Sequence, residues 1–152
     1  DYLGFEEITV VEYDEATQRY GVREIEDAQE RLLQRDSGDA VFLTRFPNHT
    51  SPFWNMKRDG GHARKTDVIL YGIETIGSAE RSTSPEEMRN NFYEISGGAY
   101  AKRLFSLFTR ERVEQELNYF LGLDFFPRCG GGIGMTRMIR ALKFAGKIPI
   151  EL

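Results

Sequence analysis

The stretch from Asp67 to Arg81 carries side chains whose spacing could support chemistry, with Glu74 halfway along it. In an uninterrupted strand, Asp67 and Glu74 would face opposite sides, because the side-chain period of a strand is two. If the chain turns near Gly72, the two acids lie on neighbouring strands and can converge on one Mg²⁺ ion together with a nucleotide's phosphates. Arg81 could then offer its planar guanidinium to a substrate carboxylate. The alternative is a hairpin whose acids face solvent.

A second stretch is rich in glycine and ends in an arginine. Four glycines occupy five positions, at Gly130, Gly131, Gly132 and Gly134, and Arg137 follows. Missing side chains allow a flat ligand or another backbone to approach closely. Arg137 is predicted in the first turn of a helix, where it could contact a phosphate. The spacing fits neither a dinucleotide fingerprint nor a P-loop, and a tight strand-to-helix turn is the simpler interpretation.

The elements that must position these residues change from strands to helices along the chain. Segments rich in β-branched and aromatic residues predict strands at 8–13, 41–46, 52–57 and 67–77, the last three as an antiparallel meander. Helices are predicted after Asp14, over 26–35, after Ser84 with Glu87 completing a capping box, and over 101–108, 113–121 and 135–145. This order predicts an α+β fold, with an antiparallel β-sheet flanked by helices.

Composition and charge narrow the class of protein. The chain has 152 residues, 40% of them hydrophobic, which fits a single domain with one core. Residues 1–40 hold twelve acids and four arginines, so a site for a polyanion is expected later in the chain. A single cysteine excludes an internal disulfide and favours a reducing, cytoplasmic location. No apolar run is long enough for a membrane span, so no membrane partner is expected.

Together and in this order, the two stretches resemble the C-terminal half of the class II aminoacyl-tRNA synthetase catalytic domain, in the aspartate/asparagine/lysine subclass. That subclass has an acid seven residues before the Glu of a Gly-x-Glu turn and an Arg seven residues after it, matched here by Asp67, Glu74 and Arg81. Its third motif is similar to residues 132–138, and the glycine-rich form is closest to ammonia-dependent asparagine synthetase. Residues 7–16 resemble the segment after the second motif. We therefore expect residues 1–152 to form a single domain, a fragment of a longer protein.

The resemblance implies ATP chemistry. An amino-acid carboxylate attacks the α-phosphorus of ATP, which gives an aminoacyl-adenylate and pyrophosphate, with Mg²⁺ on the phosphates. Asp67 and Glu74 would hold the metal, and Glu74 would also contact ATP. Arg137 would be the catalytic residue and would bind the terminal phosphate. Gly132 and Gly134 would let the adenosine lie against the backbone.

The resemblance also implies an amino-acid substrate and an acceptor. Arg81 and Ser78 would bind the side chain of aspartate or asparagine. The acceptor would be tRNA in a synthetase or ammonia in an asparagine synthetase, and the full-length protein would be a homodimer. Thr136 and Arg128 stand where the family has an acid and a histidine. These differences motivate a third hypothesis, a non-catalytic paralogue that binds nucleotide or amino acid.

Three further features of the sequence each have two interpretations. Glu80 lies beside Arg81, and its charge could either orient the guanidinium or weaken its hold on an anion. Trp54 is interpreted as a core residue rather than a platform for a nucleobase. A basic loop either faces solvent or contacts an acceptor RNA, and it contains Lys57, Arg58, Arg64 and Lys65.

Overall fold

A β-sheet and six helices make up the part of the chain that the computed structural model describes, residues 3–5 and 7–149. The strands are β1 Thr9–Glu12, β2 Ala40–Pro47, β3 Arg58–Asp59, β4 His62–Leu70, β5 Ile73–Arg81 and β6 Arg128–Ile133. The helices are α1 Tyr13–Tyr20, α2 Asp27–Ser37, α3 Pro85–Glu94, α4 Ala99–Leu107, α5 Arg110–Leu121 and α6 Met135–Phe144. None of these helices is both long and apolar enough to cross a bilayer.

The sheet has the order β1-β2-β4-β5-β6, and β3 pairs with β4. The α+β class with a sheet and flanking helices, predicted from the sequence, is confirmed. The sheet is mixed rather than wholly antiparallel, because β1 and β2 run parallel with Thr9 opposite Val41. A parallel pair needs a crossover, and here α1 and α2 provide it between the two strands.

The chain divides into two compact units, and each has its own apolar core. The sheet unit comprises Asp1–Phe46, Lys65–Ser78 and Gly131–Leu152, and the helical unit comprises Pro47–Arg64 and Ala79–Gly130. The core of the sheet unit contains Val11, Tyr13, Ala16, Leu33, Val41, Leu43, Phe46 and Ile69. The core of the helical unit contains Met88, Phe92, Ala101, Val113, Leu117 and Leu121, with Trp54 packed against it. The interpretation of Trp54 as a core residue is therefore correct.

The single strand predicted over 67–77 is wrong, because a hairpin turn divides it into β4 and β5, and this turn lies near Gly72, where the convergence of the two acids requires it. Tyr71 and Gly72 join the strands, and their φ angles are +50° and +74°. Two consecutive positive φ angles define a type I′ turn, whose twist matches that of antiparallel strands. At Gly72 an added Cβ would lie 2.7 Å from the Gln34 side chain, so the approach of α2 also requires glycine there. The turn places Asp67 and Glu74 on neighbouring strands.

The predicted strand at residues 52–57 is wrong. No strand forms over residues 52–57. Met56 forms an isolated bridge to Arg81 at the end of β5, and Asn55 and Lys57 on either side of it form backbone hydrogen bonds with Ser82 and Glu80. The Arg58 guanidinium donates to the carbonyl oxygens of Pro52 and Phe53, at 2.6 and 3.4 Å. These bonds fold the segment back toward Arg58. The guanidinium needs hydrogen-bond acceptors, and this requirement outweighs the preference of the segment for a strand.

Two predicted helix caps differ in detail. Ser84 caps α3 as expected, since its Oγ accepts from the Glu87 N–H at 3.2 Å. The Glu87 carboxylate instead accepts from the Ser82 hydroxyl, and the Ser84 N–H donates to Ser82 Oγ at 3.1 Å. Asp14 lies inside α1, because β1 runs directly into that helix with Glu12 at the cap position.

Gly131 is required by the close approach of β6 to β5. An added Cβ would lie 2.6 Å from the Gly77 carbonyl oxygen and 3.0 Å from Ser78 Cβ. We expect Gly131→Ala to push the strands apart and lower the free energy of unfolding by about 1–3 kcal/mol. Urea unfolding followed by circular dichroism measures this loss. Gly132→Ala is the matched control, because nothing lies within 4 Å of its added Cβ. Equal losses in the two variants would contradict the steric explanation.

Candidate functional site

Asp67 is a buried carboxylate on β4, with only 5% of its surface exposed. Burial raises its pKa to about 6, the Lys65 ammonium opposes this rise, and the charge of Glu74 adds to it. Lys65 contacts Asp67 Oδ2, and its Nζ also lies 3.5 Å from the centre of the Phe46 ring. Asp67 Oδ1 is buried without a hydrogen-bond partner. A buried acceptor left without a donor costs free energy, which is the situation that a bound cation would relieve.

Glu74 is held through its backbone from two sides. Its N–H donates to Glu30 Oε2 on α2 at 2.7 Å, and its carbonyl oxygen accepts from Arg137 Nη1 on α6 at 2.8 Å. The same Nη1 lies 3.8 Å from Glu74 Oε2. Burial raises the pKa of Glu30, and the bond from the Glu74 N–H opposes that rise. Glu30 could not be identified from the sequence, because acids such as Asp27 and Glu30 are common in the first turn of a helix.

Gly77 leaves a gap between the two acids. An added Cβ at Gly77 would lie 3.0 Å from Glu74 Oε1 and 3.4 Å from Asp67 Oδ1, so both oxygens border the same small volume. Mg²⁺ takes oxygen ligands and commonly uses one or two carboxylates, with the rest supplied by phosphates and water. In residues 3–5 and 7–149 no group of three or more His, Cys, Asp or Glu side chains could hold a metal. Asp67 and Glu74 thus supply two carboxylate oxygens at this gap, which matches the number of protein carboxylates that Mg²⁺ commonly uses.

Arg137 lies in the first turn of α6, with half of its side chain exposed. Gly134 comes just before this helix, and its N–H donates to the Thr75 carbonyl oxygen at 2.9 Å. An added Cβ at Gly134 would lie 3.2 Å from Arg137 Cδ, so the glycine leaves room for the arginine. Thr136 precedes this arginine, at the position where the resemblance implies an acid, and the Arg137 guanidinium donates to the Glu74 carbonyl oxygen.

Gly132 and Ser78 have different surroundings. Nothing lies within 4 Å of an added Cβ at Gly132, so that stretch of backbone is open to a flat ligand. Ser78 Oγ donates to the Thr66 carbonyl oxygen at 3.0 Å, so its hydroxyl proton is used within the sheet.

Arg81 belongs to the helical unit and is fixed there by two neutral acceptors. Its Nη1 donates to Asn55 Oδ1, and its Nη2 donates to the Gly130 carbonyl oxygen, both at 3.1 Å. An added Cβ at Gly130 would lie 3.1 Å from Arg81 Nε, so a side chain at this position would crowd the guanidinium.

Glu80 is held by two other cations. Its carboxylate accepts from Lys57 Nζ at 2.6 Å and from Arg64 Nη1 at 3.0 Å, and these bonds lower its pKa. In this structure Glu80 is therefore not the group that orients Arg81.

The cationic side chains of the basic loop are already bound to neighbouring groups. Lys57 and Arg64 bind Glu80, and Lys65 binds Asp67. Burial lowers the pKa of Arg58, whose guanidinium bonds to backbone carbonyls. These contacts weaken the hypothesis that the loop contacts RNA.

Most of the side chains predicted for the site lie in one unit. The sheet unit contains Asp67, Glu74, Ser78, Gly132, Gly134 and Arg137, and the helical unit contains Arg81. Arg137 contacts Glu74 directly. Glu74 and Asp67 each place one carboxylate oxygen beside the gap at Gly77.

The raised pKa of Asp67 predicts a pH-dependent stability. Because the folded state binds this proton more tightly than the unfolded state, the stabilisation is present below about pH 4 and is lost as the pH rises through about 6. This loss amounts to about 2–3 kcal/mol. Asp67→Asn cannot ionise, so its free energy of unfolding should fall less than that of the wild type between pH 4 and 7. Urea unfolding at several pH values measures the difference, with the exposed Asp124→Asn as control. Parallel pH profiles for wild type and Asp67→Asn would contradict the assignment.

Comparison with known proteins gives consistent results. A family model of class II tRNA synthetases (D, K and N) matches residues 4–149. The aspartate–tRNA(Asp) ligase of Pyrobaculum aerophilum is 29% identical over 141 residues, which cover 87% of this chain and 30% of that protein. An aspartyl-tRNA synthetase from Entamoeba histolytica has a TM-score of 0.65 and 19% identity, covering 93% of this chain and 29% of that one. An asparaginyl-tRNA synthetase from Pyrococcus horikoshii, solved with asparaginyl-adenylate, has a TM-score of 0.67 and 21% identity. The match covers 90% of this chain and 32% of that one. The chain thus spans about 30% of the length of the Pyrobaculum aerophilum protein.

Proposed function

The chain belongs to the class II tRNA synthetases of the D, K and N group, and we propose that it is part of an ATP-dependent ligase that activates aspartate or asparagine. The resemblance drawn from the sequence is thereby confirmed at the level of the family. In the proposed reaction, the amino-acid carboxylate attacks the α-phosphorus of ATP. A bond to that phosphorus forms, the bond to the leaving pyrophosphate breaks, and an aminoacyl-adenylate results.

The observation that carries this proposal is the convergence of Asp67 and Glu74 on the gap at Gly77, with Arg137 bonded to Glu74. Asp67 Oδ1 and Glu74 Oε1 would hold Mg²⁺, which supplies charge neutralisation and alignment to the phosphates. Arg137 would bind the terminal phosphate, because its guanidinium is half exposed and already oriented. Gly132 and Gly134 would allow the adenosine to lie against the backbone.

The amino acid would be bound by Arg81, with Ser78 as a weaker candidate because its proton is already donated. Arg81 is directed by neutral partners, so its charge is available for a substrate group. The Pyrococcus horikoshii relative was solved with asparaginyl-adenylate, which supports adenylate formation as the reaction. The proposal includes a tRNA acceptor, a homodimer and a cytoplasmic location, as the family resemblance implies.

Two alternatives to the proposed tRNA ligase remain. One uses a different acceptor, and the other does not catalyse a reaction. An asparagine synthetase would transfer the activated aspartyl group to ammonia, and amide formation with ammonium and no RNA would identify it. A non-catalytic paralogue is the hypothesis that Thr136 and Arg128 motivate. The contact of Arg137 with Glu74 favours catalysis, because the arginine is oriented without an acid at that position.

Pyrophosphate exchange tests the proposed reaction. The full-length protein should exchange labelled pyrophosphate into ATP when aspartate or asparagine is present, and Arg137→Ala in that protein should reduce the rate by about 100-fold or more, as expected for losing an electrostatic contact to the leaving pyrophosphate. Arg140→Ala is the control on the same helix, where Arg140 donates to the Tyr71 carbonyl oxygen. Exchange that survives Arg137→Ala at the wild-type rate would overturn the assignment of Arg137.

Metal binding can be tested without catalysis. We expect Gly77→Ala to weaken Mn²⁺ binding at least 10-fold, because the added methyl group would occupy the gap between the two carboxylates. Electron paramagnetic resonance of free Mn²⁺, with ATP present, measures the affinity. Gly61→Ala is the control, since nothing lies within 4 Å of its added Cβ. Unchanged Mn²⁺ affinity in Gly77→Ala would place the metal elsewhere.

A further inference from the structure

Asn55 is fixed beside Arg81 by backbone pairing. The Ser82 N–H donates to the Asn55 carbonyl oxygen at 2.9 Å, and Met56 forms a bridge to Arg81. The Lys57 N–H also donates to the Glu80 carbonyl oxygen at 2.9 Å. Residues 55–57 therefore follow the end of β5, and the side chain of Asn55 reaches the guanidinium from this paired segment.

The chemistry of the contact determines how Asn55 is oriented. A guanidinium can only donate, so the amide must present Oδ1 to Arg81 Nη1 and turn its NH₂ group away. The second acceptor, the Gly130 carbonyl oxygen, is also neutral. The two bonds therefore fix the direction of the guanidinium without supplying a negative charge to compensate it.

The acid adjacent in sequence is bound elsewhere. The Glu80 carboxylate is held by Lys57 and Arg64, and these bonds lower its pKa, so it stays ionised and engaged. The positive charge of Arg81 is thus left for a group from outside this cluster.

We propose that Asn55 is a positioning residue for Arg81 and that its neutrality reserves the guanidinium for a carboxylate, so that an amino acid with an acidic side chain binds better than its amide. A carboxylate accepts two parallel N–H bonds from an arginine, whereas a carboxamide has one acceptor oxygen and must place its own donors. This inference rests on the proposed function, in which Arg81 binds the substrate side chain.

Asn55→Asp separates positioning by charge from a merely structural role. The variant keeps the size and the acceptor oxygen of Asn55, but its carboxylate pairs with Arg81 and competes with an anionic ligand. Isothermal titration calorimetry with L-aspartate and L-asparagine should show aspartate binding weakened at least 10-fold and asparagine binding changed less than 3-fold. The midpoint of thermal unfolding should stay equal or rise, because the hydrogen bond is retained and becomes charge-assisted.

Asn118→Asp is the matched control. Asn118 Oδ1 on α5 accepts from Arg89 Nη2 at 2.6 Å, so the same replacement is made beside another arginine of the helical unit. This variant should bind both amino acids as the wild type does. A loss of aspartate binding in Asn118→Asp equal to that in Asn55→Asp would overturn the inference, because added charge would then act without contact.

Arg81→Ala distinguishes failure of this inference from failure of the proposed function. If Arg81→Ala leaves the binding of both amino acids unchanged, the assignment of Arg81 to the substrate is wrong. If Arg81→Ala abolishes aspartate binding but Asn55→Asp keeps the wild-type preference for aspartate, the role of Asn55 is wrong and the proposed function stands. A wild-type protein that binds neither amino acid overturns both.

Discussion

The pairing of two acids across one small gap is the constraint around which the sheet unit is organised. Asp67 and Glu74 repel each other, and Asp67 has also lost most of its hydration. Lys65 compensates one oxygen of Asp67, while the other stays unpaired toward the gap at Gly77. Such an arrangement is costly for the bare carboxylates, and the proposed metal ion would relieve that cost, because the same burial that disfavours the carboxylate strengthens its attraction to a positive charge.

Two helices hold Glu74 in place, and neither acts through the Glu74 carboxylate alone. A carboxylate on α2 accepts from its N–H, and Arg137 on α6 donates to its carbonyl oxygen. Helix α6 in turn begins at Gly134, which is bonded to Thr75 on the same strand as Glu74. The backbone of β5 thus connects Glu74 to Arg137 and to the start of α6, so Glu74 and Arg137 of the proposed phosphate site are held on the same strand.

The sequence was informative where chemistry depends on local spacing. A turn near Gly72 was one of two interpretations, since composition alone predicts a single strand over 67–77, and the meeting of Asp67 and Glu74 depended on that turn. The glycine run could be read as a strand-to-helix turn, but not which glycine is sterically required. That is Gly131, and its reason is the Gly77 carbonyl oxygen, far away in sequence.

Long-range partners explain the remaining differences. Residues 52–57 have strand-like composition, yet the donors of Arg58 bend the segment. Glu30 and Asn55 gave no pattern in the sequence, because each acts on a residue brought close only by folding. The charge of Glu80 could be read from the sequence, but its partners Lys57 and Arg64 depend on strand pairing.

The fluorescence of Trp54 reports on the packing around it. It is the only tryptophan in the sequence, and its ring stacks edge-on against Phe92 and Phe120, 5.6 and 5.5 Å away between ring centres. Its emission therefore follows the packing of the helical unit, whereas far-ultraviolet dichroism follows the backbone of both units. Superimposable curves from the two signals would mean that the acid pair and the aromatic core melt as one cooperative body, and separated curves would mean that each unit melts by itself.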